Sequence, residues 1–192
     1  MAAALRHHLE GLRALGVAEI PSSGLPAPAT AGPTKEERLA ILAREVERCR
    51  RCPLYRTRTH AVISDGTASA RLVFIGEAPG REEDLQGKPF VGAAGQLLTK
   101  MIEAIGMDRR DVYICNVLKD RPPGNRVPLP EEMDACLPFL REQLAVVQPR
   151  VICTLGAIAS KALLGPHIAI TKVRGQLFDY EGVPLIPTFH PA

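Results

Sequence analysis

Carboxylates and one aromatic ring gather behind a single apolar run in this chain. Leu72 to Ile75 is followed by Gly76, then Glu77, the Pro79-Gly80 pair, Glu83 and Asp84, and then Phe90, isolated between Pro89 and Gly92. Acids beside one aromatic face suit a small apolar-walled pocket in which a carboxylate orients water or meets a developing positive charge. The same stretch also reads as a tight βα connection with solvated charges. Neither phosphate-binding pattern, Gly-x-x-x-x-Gly-Lys-Ser/Thr or Gly-x-Gly-x-x-Gly, occurs after the run. A second cluster is Cys49-Arg-Arg-Cys52, whose two thiols are spaced to share one metal centre, with flanking arginines that favour thiolate. Cys115, Cys136 and Cys153 complete an odd set of 5, which argues against a disulfide framework.

The elements that must carry these groups alternate between strand and helix. Leu72–Ile75 is uninterrupted and apolar, as expected of a parallel strand covered on both faces. Its glycine-rich end lies at the carboxyl edge of the sheet, where open α/β sheets bind ligands. Thr34 with Glu36 and Glu37 starts a helix over 35–48 that delivers Cys49 and Cys52. A polar stretch over 57–67 follows, in which Arg56, Arg58 and His60 are candidates for phosphate contact or for plain solvation. Helices are expected over 95–105, from Pro130 to before Pro149, and over 156–164, and strands over 112–117, 151–155 and 183–189. Cys115 and Cys153 fall inside strands and read as core. The expected fold is three-layer αβα around a central, mainly parallel four-stranded sheet.

At 192 residues and 46% hydrophobic content the chain can bury one full core. Leu5, Leu9, Leu12 and Leu15 predict an amphipathic helix over 1–17, a possible protein-binding arm, and a Pro/Gly/Ala linker over 18–33 precedes the domain at 34–192. The net charge of +3 does not by itself announce a nucleic-acid protein. No apolar run approaches membrane-spanning length, and charges stand where a signal core would be; a cytoplasmic protein without membrane attachment is expected.

Gly76-Glu-Ala-Pro-Gly80, Glu83-Asp84, Gly87-Lys-Pro-Phe-Val-Gly92, Asn116, Arg121-Pro-Pro-Gly-Asn125 and His190-Pro191 together resemble the family 4 uracil-DNA glycosylases, the iron-sulfur branch. The resemblance covers about residues 40–192. It implies an enzyme that flips uracil out of single- or double-stranded DNA and hydrolyses the glycosidic bond to leave an abasic site. Phe90 would stack on the base, and Glu77 with Ala78 would form the floor. Asn116 would accept from N3–H and donate to O4, an order of donor and acceptor opposite to that of cytosine. His190 would donate to the developing charge on O2, and Glu77, Glu83 and Asp84 compete to orient the water. The stiff basic loop after Asn116 offers Arg121, Asn125 and Arg126 to the DNA backbone.

The resemblance also implies a [4Fe-4S] cluster, held in that family by four cysteines. Cys49, Cys52 and Cys136 match three of them, but the position before Arg121 is Asp120, so the expected set is Cys49, Cys52, Asp120 and Cys136, with Cys153 as fallback for Asp120. The family pattern continues past His190-Pro191, whereas this sequence ends at Ala192, which suggests a truncated chain or weak activity on duplex DNA. Two rival readings remain: a nucleic-acid-binding module that keeps the cluster without turnover, and a cluster-carrying redox protein.

Overall fold

The computed structural model describes residues 32–192, so the expected arm at 1–17 and all but the last two residues of the linker lie outside the described residues. Pro33–Ala192 form one compact unit. Helix α1 (Lys35–Arg48) begins where the sequence requires: Thr34 Oγ1 accepts from Glu37 N at 3.1 Å, and Glu37 returns the bond to Thr34 N at 2.8 Å. The remaining α-helices among the described residues are α2 (Arg81–Gln86), α3 (Ala93–Ala104), α4 (Pro130–Val147), α5 (Ala157–Leu164) and α6 (Ile170–Val173).

The sheet has six strands where the sequence predicts four. In chain order these are β1 (Asp65–Gly66), β2 (Leu72–Gly76), β3 (Tyr113–Asn116), β4 (Val151–Leu155), β5 (Phe178–Tyr180) and β6 (Val183–Thr188), arranged β1-β3-β2-β4-β6-β5. The four expected strands form the parallel centre, β3-β2-β4-β6. β1 and β5 add antiparallel edges. At two and three residues, these edge strands are too short to show an alternating pattern.

Alternation along the central strands sorts the core into two layers. Val73, Ile75, Tyr113, Cys115, Ile152 and Leu185 pack with Cys136, Leu140 and Leu144 of α4, whereas Phe74 and Ile114 pack with Leu98 and Ile102 of α3. Helix α1 lies outside α4, joined to it through Leu42, Val46 and Phe139. Cys153 belongs to the α3 layer and Cys136 to the α4 layer, on opposite faces of the sheet. The fallback pairing of these two cysteines is therefore set aside, because the sheet separates them.

Candidate active site

The parallel centre brings Gly76 and Asn116 side by side at the carboxyl ends of β2 and β3, while β6 ends at Thr188, two residues before His190. A cleft of about 440 Å³ opens at this edge, within the usual range for small-ligand pockets. Glu77, Ala78, Glu83, Phe90, Asn116 and His190 all line it, with Asn125 and Arg126 at its margin.

Backbone geometry sets the aromatic wall. Phe90 has φ of 54°, a left-handed conformation rare for a bulky residue and worth about 1–3 kcal/mol of strain. It persists because its surroundings over-determine it. Arg109 donates to Pro89 O at 2.8 Å, to Asp65 Oδ2 at 2.9 Å and to Thr99 Oγ1 at 3.1 Å, tying the loop to β1 and α3. The Phe90 carbonyl rests against Gly95, where a Cβ would collide with it. Gly76 is likewise required, since a Cβ there would strike both the Phe90 ring and Asn116 Oδ1. The His190 ring faces Phe90 at 5.7 Å, 29° from parallel.

Asn116 is almost fully buried, at 1% exposure, and its Oδ1 has no hydrogen-bond partner. Orphaned buried acceptors are rare and costly, about 1–3 kcal/mol each, so this atom is arranged for a donor that arrives with a ligand. The backbone beneath it is fixed. Lys119, itself buried, donates from Nζ to Asn116 O at 2.5 Å and to Gln143 Oε1 at 2.6 Å, and Gln143 Nε2 continues to Tyr113 Oη and Ile63 O. Burial pushes the Lys119 ammonium down from its ordinary pKa.

The three competing carboxylates have different employments. Glu83 is a clamp: Oε1 accepts from Val91 N and Gly92 N, both at 2.8 Å, and Oε2 from Gly80 N at 3.1 Å. Asp84 is buried and accepts from Thr59 N at 2.8 Å, which removes it from the contest. Glu77 carries no such ties, and burial raises its pKa. Burial lowers that of His190, with Glu83 pulling the other way, which favours the neutral imidazole. In the basic loop, Arg121 donates to Asn125 Oδ1 at 2.7 Å, while Arg126 forms a two-pronged pair with the buried Glu132 at 2.6 and 2.8 Å. Arg121 is not part of the cleft wall.

The cysteines sit elsewhere. Cys49, Cys52, Cys136 and Asp120 flank one narrow hollow between α1, α4 and the segment after β3. Cys49 Sγ accepts from Arg51 N at 3.5 Å, and burial pushes the Cys52 and Cys136 thiols above their ordinary pKa, that of Cys136 to about 11. Asp120 differs: its two oxygens accept from Arg58 Nη1 at 2.8 and 3.0 Å. Arg58 thus turns inward and is not a surface phosphate contact; it also donates to Val46 O at 3.3 Å and to Glu47 O at the end of α1. Among the described residues no three His, Cys, Asp or Glu converge on the position of a single metal ion. Three thiols and a carboxylate already paired with Arg58 border the hollow.

Sequence reasoning missed Arg109, Lys119 and Gln143, which position the pocket without entering it. A lysine closing an apolar run reads as exposed, and no spacing distinguishes it from one that is buried.

Residues 63–192 match the family model described as the uracil DNA glycosylase superfamily. The chain is 49% identical over 161 residues to a type-4 uracil-DNA glycosylase of Thermotoga maritima, covering 83% of this chain and 84% of that protein. It is 46% identical over 164 residues to the type-4 uracil-DNA glycosylase of Archaeoglobus fulgidus, covering 81% and 82%. With that of Sulfurisphaera tokodaii it shares 44% identity over 163 residues, covering 80% and 74%.

Proposed function

The chain belongs to the uracil-DNA glycosylase superfamily, and we propose that it is a type-4 uracil-DNA glycosylase of DNA repair, which hydrolyses the N-glycosidic bond of a flipped uracil and leaves an abasic site. The observation that carries the reading is the orphaned Asn116 Oδ1, buried beside the Phe90 ring. Uracil N3–H supplies the missing donor, and the same amide donates to O4. Cytosine offers an acceptor at N3 and a donor at N4, leaving both amide atoms mismatched in a buried site. Phe90 covers one face of the base.

As the bond between C1′ and N1 breaks, its electron pair leaves with the base and charge grows on O2. His190, whose neutral form burial favours, donates a hydrogen bond there. Water adds to C1′ and loses a proton. Glu77 is the carboxylate free to orient that water and take the proton, because Glu83 and Asp84 are engaged by main-chain amides. Among the described residues no lysine lines the cleft to form a Schiff base, which supports a monofunctional reaction. The exposed Asn125 and Arg126, with Arg121, offer donors to the backbone of single- or double-stranded DNA. Cys49, Cys52 and Cys136 would hold a [4Fe-4S] cluster whose chemistry is structural, joining the end of α1 to α4. Among the described residues no helix is long and apolar enough to cross a membrane, and a cytoplasmic site of action agrees with this chemistry.

Uracil release from matched oligonucleotides, single-stranded and duplex, tests the reading. The parent is expected to release uracil and not cytosine. Asn116→Asp replaces the O4 donor by an acceptor and is expected to cut uracil release at least about tenfold, on the scale of one mispaired buried group, while admitting cytosine. Release of uracil at the parent's rate would remove Asn116 as the reader.

A further inference from the structure

We propose that the cluster in this chain is held by three thiolates alone, Asp120 being withheld by Arg58, so that the fourth iron takes a small ligand from solution such as hydroxide or a low-molecular-weight thiol. This rests on the reading of Cys49, Cys52 and Cys136 as cluster ligands. The four flanking residues divide cleanly. The three cysteines border the shared hollow, whereas both carboxylate oxygens of Asp120 are spent on one guanidinium nitrogen. The pair is well buried, with side-chain exposures of 12% and 6%.

For Asp120 to ligate iron it would have to leave Arg58, whose cation would then stay buried without its counter-charge; removing one partner of a buried pair is the costly way to break it. Arg58 cannot follow, because it is also bonded to Val46 O and Glu47 O at the end of α1. The exchange gains little, since a carboxylate is a harder donor than thiolate and suits this iron less well. The ion pair also makes a contact that a fourth thiolate would otherwise make through iron, binding the segment after β3 to the end of α1. The site is thus closed mechanically and open chemically.

The test uses the full chain, purified and reconstituted without air. Ferricyanide withdraws one electron from the cluster, and the open corner then leaves as one ferrous ion. A three-iron paramagnetic resonance signal is expected to grow as iron falls by about a quarter, and ferrous iron with dithiothreitol is expected to restore the original state. Asp120→Asn should titrate like the parent, and Asp120→Cys should resist conversion. Retention of all four irons by the parent, or a changed iron count or resonance spectrum in Asp120→Asn, would overturn the three-thiolate assignment while leaving the cluster in place. A chain that binds no iron after reconstitution yet releases uracil would overturn the cluster itself and leave the glycosylase reading standing.

Discussion

The base cleft and the cysteine hollow lie on either side of one short segment, Asn116 to Asp120, and treat their polar groups in opposite ways. In the cleft, Asn116 Oδ1 is buried without a partner and Phe90 is held in a strained conformation. In the hollow, Cys49 Sγ accepts an amide and both oxygens of Asp120 are paired with Arg58. The contrast separates a surface prepared for a transient guest from one that fastens the chain. Lys119 stands at the junction: its side chain holds Asn116 O, and the residue also borders the cysteine hollow.

If the cleft is the working region, damage there should cost turnover and spare the fold. His190 is only half-buried and packs by its ring against Phe90, so His190→Ala should leave the melting temperature nearly unchanged. It should lower kcat for uracil release by about 10²–10³-fold, the usual loss when one donor to a developing oxyanion is removed. Single-turnover assays on a uracil oligonucleotide measure this directly. A loss confined to KM would place His190 in substrate binding and break the division.

Damage in the hollow should do the reverse. Arg58→Ala strands the buried Asp120 carboxylate and frees the last carbonyls of α1, and should destabilise the fold by about 3–5 kcal/mol in urea unfolding. Uracil release per folded molecule should stay near the parent value. A fall in turnover at full folding would show that the two regions are coupled through Lys119 and not merely adjacent.

Much of the cleft is legible in the amino-acid sequence, because its parts sit at glycine-marked strand ends. Gly76 and the run ahead of it define the sheet edge, and the family resemblance supplies roles for Glu77, Phe90, Asn116 and His190. What the sequence hides is set by distant partners. Glu83 and Glu77 are both acids in one loop, and only the folded backbone shows that Glu83 is consumed by the amides of Gly80, Val91 and Gly92. Arg58 reads as solvated in a polar stretch, since nothing local records that Asp120, 62 residues on, awaits it. The same limit hides β1 and β5, whose existence depends on neighbours and not on their own pattern.

The smallest expected effect is the most discriminating, because it asks whether the cleft sacrifices stability as the hollow does not. Burial raises the pKa of Glu77 above its ordinary 4.5, so the folded protein binds this proton more tightly than the unfolded chain does. The stabilising contribution is complete below pH 4.5 and is lost as pH rises through the raised value, above which the half-buried charge is a burden. Glu77→Gln removes the titration at nearly constant shape. Its melting temperature at pH 7 should therefore exceed the parent's by a few degrees at most, and the two curves should converge as pH falls toward 4.5. The same variant should lose uracil release at pH 7, since an amide takes no proton from water. Parallel melting curves at all pH values would mean that Glu77 is not desolvated, and with that the strongest reason for choosing it over Glu83 would be gone.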